Sequence, residues 1–251
     1  MIDVATKEGV AVLTMQHGKA NALDIEFCDA LAQHLSDLAR AHSKAVLLTG
    51  QGTMFSAGVD LKRASSGGAD YLRKFLPALH RLYDAAFNLP KPLIAAINGH
   101  AIAGGAVLAA CADRRIMARG KARIGTTELQ VGVPFPALAF EIVRFAVPSR
   151  YLPEFTLGAA TYGTEDALER GWVDEVVEAE ALMPRAFAVA HQYGALSPPA
   201  FAQTKKQIRQ AVAERYAQSG EATDKTVTGI WCADATLGYL RDYVARTLKK
   251  P

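Results

Sequence analysis

The segment Val10 to Met15 sets apolar residues around a single threonine, as a half-buried strand does. Asp24 then stands as an N-cap before a helix whose Phe27, Leu31, Leu35 and Leu38 recur at spacings of three and four. Lys44 to Thr49 (KAVLLT) is a short run of buried type, closed by Gly50-Gln51-Gly52, and predicts a second strand. Small and polar residues from Ser65 to Gly68 predict a loop. A helical pattern follows from about Tyr71 to Asn88, with Pro77 breaking or restarting it.

Leu89-Pro-Lys-Pro92 leads into another buried strand, Leu93 to Ile97, then Gly99 and an alanine-rich helix through Ala112. Ile116 to Ala118 and Trp172 to Val177 predict further strands. Helical stretches near Pro136 to Ala146, Arg150 to Gly158 and Glu165 to Arg170 lie between them. Strands alternating with helices predict an α/β fold. From Leu182 onward only helical segments remain: Leu182 to Tyr193, Pro199 to Gln218 and Asp224 to Leu248.

Composition narrows the function. A chain of 251 residues suffices for one large domain, or one domain with a small appendage. A net charge of +3 gives no footprint for nucleic acid, though it suits an anionic small ligand. Lys205, Lys206 and Arg209 form a short basic cluster expected to face solvent, a neighbouring subunit or ligand phosphates. The three cysteines (Cys28, Cys111, Cys232) are far apart and make neither a disulfide framework nor a zinc site. They fit a reducing compartment, most simply the cytoplasm. No targeting segment or membrane-spanning stretch is visible.

Two segments place glycine between a strand and a helical pattern: Phe55-Ser-Ala-Gly-Val-Asp-Leu61 and Asn98-Gly-His-Ala-Ile-Ala-Gly-Gly105. Glycines there let a ligand approach the backbone, and amides at a helix N-terminus face an anion. Tight turns and close packing account for either segment alone. Neither is a dinucleotide fingerprint or a phosphate loop.

Taken in order, five motifs resemble the crotonase family, also called the enoyl-CoA hydratase/isomerase family. They are HGKANALD (His17 to Asp24), FSAGVDL, KPLIAAINGHAIAGG, GTTELQVGV (Gly125 to Val133) and Tyr162 to Val177. The resemblance implies a spiral of repeated ββα units over residues 1–195 and a helical trimerisation region over 196–251. It also implies a homotrimer or homohexamer acting on acyl-coenzyme A, with no separate cofactor, metal or nucleic-acid partner. The family's oxyanion hole falls on the backbone N–H groups of Val59 and Gly104. Its coenzyme A contacts fall on Lys19, Ala20 and Ala22, and on the Ala57, Val59, Asp60, Leu61 and Gly104 segments, with Lys62 and Arg63 following. Asp60 itself reads as helix-start stabilisation, Asp113 as structural, and Tyr162, Trp172 and Phe135 as core or pocket wall.

Family hydratases hold a water between two glutamates. The first position is Val107 here, and the second is Glu128. A valine cannot orient water, whereas one base suffices to move a double bond. The single glutamate, in a Glu-x-Gln-x-Gly context followed by Val133-Pro-Phe-Pro136, resembles the Δ3-Δ2 enoyl-CoA isomerases. Glu128 is therefore expected as the proton shuttle. Hydratase, decarboxylase and thioesterase reactions, or non-catalytic acyl-CoA binding, are the alternatives. His100, beside the oxyanion segment, is expected to be a packed residue. The Ser65 to Asp70 loop and the Leu72 to Leu82 helix are expected to line the acyl pocket.

Overall fold

The computed structural model describes residues 1–247. Six strands form the main sheet: β1 (Ile2–Lys7), β2 (Val10–Met15), β3 (Ala45–Gly50), β5 (Leu93–Ile97), β7 (Arg114–Ala118) and β9 (Glu175–Val177), adjacent in that order. β1 and β2 form an antiparallel hairpin, and every later pairing is parallel. Three very short strands, β4 (Met54–Ser56), β6 (His100–Ile102) and β8 (Ile124–Gly125), form a second parallel sheet.

The two sheets share a repeating connection. β3 and β4 precede α2 (Leu61–Phe87), β5 and β6 precede α3 (Gly104–Ala110), and β7 and β8 come before α4 (Ala137–Ala146). Each turn contributes one strand to each sheet before a helix, which is the expected ββα spiral. β3 and β5 are buried along their whole length, so their side chains are apolar on both faces apart from Thr49, whose hydroxyl donates to Ala96 O. One face of the main sheet packs on α1 (Ile25–Arg40), α2 and α3 in the main core. The other face packs Val10, Leu47, Ile94 and Ile116 under α7 (Leu182–Gly194).

Most expected elements stand where the periodicity put them, and the departures have physical causes. Residues 65–68 are helical, not a loop: α2 starts at Leu61 and runs through them, with one non-helical residue, Gly68, at φ +59° and ψ −154°. Pro77 lies inside α2 without ending it. Its ring is on the exposed side, and losing one backbone bond there leaves ten buried side chains of the helix in place. The helix after Gly99 is shorter than expected, because β6 intervenes and α3 begins at Gly104. The expected strand at Trp172 begins only at Glu175. The last helices divide differently: α8 runs unbroken from Pro198 to Trp231, and α9 covers Asp234–Thr247. The expected end at Leu248 lies outside the described residues. α5 (Leu152–Leu157) and α6 (Thr164–Glu169) fill the expected helical stretches before β9.

The basic cluster departs most, although Lys206 is exposed as expected. Lys205 and Arg209 do not face solvent; both are buried against Asp113, at 2.6 and 2.7 Å. Lys205 also donates to Lys91 O, Arg209 donates to Cys111 O, and the Arg209 guanidinium lies 4.1 Å from the centre of the Phe87 ring. Asp113 is structural, as expected, and joins α8 to the start of β7.

Candidate active site

Three of the five motifs, His17 to Asp24, Phe55 to Leu61 and Asn98 to Gly105, meet at one place. Backbone bonds lace the first to the second: Ala57 N–H donates to Ala20 O, Leu23 N–H to Gly58 O, and Asp60 N–H to Leu23 O. The Asp60 carboxylate then caps α2, accepting from the Lys62 and Arg63 amides. The third segment packs directly on the second. Gly58 sits at φ +76°, and a Cβ there would lie 2.6 Å from Ile102 O and 2.9 Å from Gly104 N. Only glycine permits that approach. Among the described residues, the Val59 and Gly104 N–H groups donate no hydrogen bond.

Ala103, immediately before α3, has φ +50° and ψ −123°, a costly conformation for a residue with a side chain. Its own N–H is fixed to Gly125 O at 2.8 Å. Tyr83, buried on α2, donates its hydroxyl to Gly104 O at 3.0 Å. The strained turn into α3 is thus held from two sides.

These segments border a cavity of about 170 Å³ lined by half-exposed Ala57, Val59, Leu61, Ile102 and Ala103 and by buried Gly104. Leu79, Val107, Val131, Val133, Ala139 and Trp231 make its buried walls, with Tyr83 and Tyr243 adjoining. Glu128 is the one acidic residue in this lining. It opens a 3₁₀ turn, Glu128–Val131, ended by Gly132 at φ +78°. It is 7% exposed, and its Oε2 has no hydrogen-bond partner. Burial pushes its carboxyl from 4.5 up to about 7, opposed by the backbone amides of Glu128 and Thr127. Val107, in the same lining, is fully buried and has no polar side-chain atom.

The structure therefore brings Val59, Gly104, Glu128, Ala57 and Leu61 around one cavity. Lys19, Ala20, Ala22 and Asp60 are not in its lining. Lys19 is exposed, and Ala20 and Ala22 are half-buried, in the strap laced beside the second segment. Lys62 is exposed, whereas Arg63 is held by Asp24 and Glu26. His100 is outside the lining, its Nδ1 accepting from the Arg123 amide. Residues 65–70 do not reach the cavity, and within 72–82 only Leu79 does. Phe135 lines an outer groove instead, and Tyr162 and Trp172 are buried in the core. Tyr83, Trp231 and Tyr243 were not singled out by sequence; each reads there as another apolar position on a helix.

A buried carboxyl poised near neutrality and sharing a cavity with two unspent amides is an arrangement suited to proton transfer beside a developing oxyanion. The family model described as enoyl-CoA hydratase/isomerase matches residues 5–234. The chain belongs to this family. The crystal structure of human mitochondrial Δ3-Δ2-enoyl-CoA isomerase superposes with a TM-score of 0.94 at 26% identity, covering 99% of this chain and 98% of that one. Escherichia coli methylmalonyl-CoA decarboxylase is 30% identical over 83% of this chain and 80% of its own. Carnitinyl-CoA dehydratase from Escherichia coli is 32% identical over 86% and 85%. The relatives carry three different reactions on acyl-CoA substrates, so membership in this acyl-CoA enzyme family does not select one. Among the described residues, no helix is long and apolar enough to cross a membrane.

Proposed function

We propose that this protein is a Δ3-Δ2 enoyl-CoA isomerase in which Glu128 shuttles the proton. The observation that carries the reading is the lone carboxylate: Glu128 in the cavity, with Val107 where a second would stand. The Glu128 carboxylate takes the proton from C2 of a 3-enoyl thioester. The electron pair spreads over a dienolate, whose oxygen accepts from the Val59 and Gly104 N–H groups. The resulting carboxylic acid returns the proton to C4, the oxyanion collapses, and the double bond lies between C2 and C3. Each amide contributes roughly 2.7–4 kcal/mol to such an oxyanion, and the base about 10²–10⁴-fold. Water addition needs a second group to orient the water, and Val107 cannot supply it.

In this reading coenzyme A runs over the Lys19, Ala20 and Ala22 strap and the Ala57 to Leu61 segment, with Lys62 toward its phosphates. Exposed Leu157, Ile208, Ile230 and Tyr239 favour assembly into the expected homotrimer or homohexamer. The test offers purified protein 3-enoyl-CoA and 2-enoyl-CoA in parallel. Isomerisation of the first, abolished to at least about a hundredfold by Glu128→Gln with coenzyme A affinity retained, is expected. Fast hydration of the second without isomerisation of the first overturns the reading.

A further inference from the structure

We propose that Trp231 sets the length of acyl chain the cavity accepts, and that the substrates are short-chain acyl-CoAs of about four to six carbons. This rests on the acyl-CoA reading of the cavity above, whichever reaction is run there. The cavity has a direction. Half-exposed Ala57, Val59, Leu61, Ile102 and Ala103 mark its mouth, with Gly104 buried next to Ala103, and Leu79, Val133, Ala139 and Trp231 are buried members of its wall. In this proposal a thioester carbonyl at the amides runs its chain along these buried walls, with the indole as the stop. The volume, about 170 Å³, is below the usual ligand-pocket range of about 300–1,000 Å³. It is close to the roughly 150 Å³ of a dry apolar cavity that holds benzene, a six-carbon ligand.

Trp231 is a fixed wall. It is 2% exposed, and its Nε1 donates to Pro134 O at 2.9 Å. Beyond it lies a second apolar space of about 780 Å³, lined by Pro134, Phe140, Val227 and Ile230 among others. Trp231 is in the lining of the inner cavity and not of the outer one, while its helical neighbours Val227 and Ile230 line the outer one. α4 is divided in the same way, with Ala139 inside and Ala137 and Phe140 outside. One indole and one turn of α4 thus separate a small closed chamber from a large apolar groove. Shortening the indole enlarges the chamber, and lengthening Ala139 shrinks it.

The experiment is a binding ladder of saturated acyl-CoAs from butyryl to dodecanoyl, which cannot isomerise and so read the pocket alone. For the parent protein, affinity is expected to rise about fourfold per buried methylene to about six carbons and then to stop rising or fall. Trp231→Leu is expected to move that maximum at least two carbons longer, and Ala139→Leu to move it shorter. A thermal melt of each variant confirms that it is folded, and either variant alone suffices to decide. An unbroken rise through twelve carbons in the parent overturns the proposal, as does an unchanged maximum in a folded variant. A ladder of the expected shape in a protein without isomerase activity sinks the isomerase reading and leaves the role of Trp231 standing.

Discussion

Burial moves the Glu128 carboxyl from 4.5 to about 7, so that near neutral pH about half the molecules hold a base and half an acid. The proposed isomerisation uses both forms in one turnover, the base at C2 and the acid at C4, and a value near the working pH serves both. As pH falls below about 7 the base form is lost, and kcat/KM for 3-enoyl-CoA is expected to drop about tenfold per unit. Stability moves the other way. Below pH 4.5 the carboxyl is protonated folded or unfolded and costs nothing. Between 4.5 and about 7 the unfolded chain releases its proton while the folded chain keeps it, so stability falls as pH rises. The full cost, reached above about 7, is at most about 3.5 kcal/mol at roughly 1.4 kcal/mol per unit. Glu128→Gln is therefore expected to melt several degrees above the parent at pH 8, with the difference closing by pH 4. Equal melting temperatures at pH 8 would mean that the carboxylate is not desolvated.

At the scale of elements, the site depends on how closely the β4–α2 and β6–α3 connections approach. Gly58→Ala places a Cβ against Ile102 O and Gly104 N and also strains a residue at φ +76°. Gly52→Ala, at φ +71° with nothing within 4 Å, carries the strain without the clash. Gly52→Ala is expected to cost about 1 kcal/mol and leave kcat unchanged. Gly58→Ala is expected to cost several times more and to lower kcat at least tenfold, read by denaturant titration and initial rates. This juxtaposition was foreseeable in part. The glycines marked both segments and the α/β alternation was plain in the long apolar strands, but β4, β6 and β8 are two or three residues long and leave no period to read. Ser65 and Ser66 looked like loop because local chemistry favours turns there. Tertiary packing of Ala64, Leu72 and Phe75 keeps them helical, with Gly68 absorbing the irregularity. Glu128, Val59 and Gly104 could be named from motif position, whereas Trp231 and Tyr243 could not. They reach the cavity from helices about a hundred residues downstream, and nothing local distinguishes them from ordinary core.

For the whole molecule, Asp113 is the point where α8 is fastened to the sheet. Lys205 and Arg209 are 7% and 5% exposed, and that one carboxylate answers both. Asp113→Ala leaves two buried cations without a counter-charge, which is expected to cost about 3–5 kcal/mol in a denaturant titration. A change near zero would show that water or rearrangement takes over the role. The partnership was invisible in the sequence, because Asp113 and Lys205 are 92 positions apart and each alone looks like a surface charge. The same fastening bears on the cavity, since α8 ends at Trp231 and α9 brings Tyr243. One chain thus supplies the amides, the carboxylate and the closing wall. Turnover per chain is therefore expected to hold steady as the protein is diluted, read by initial rates across a range of protein concentrations; a fall on dilution would show that a second copy completes the site.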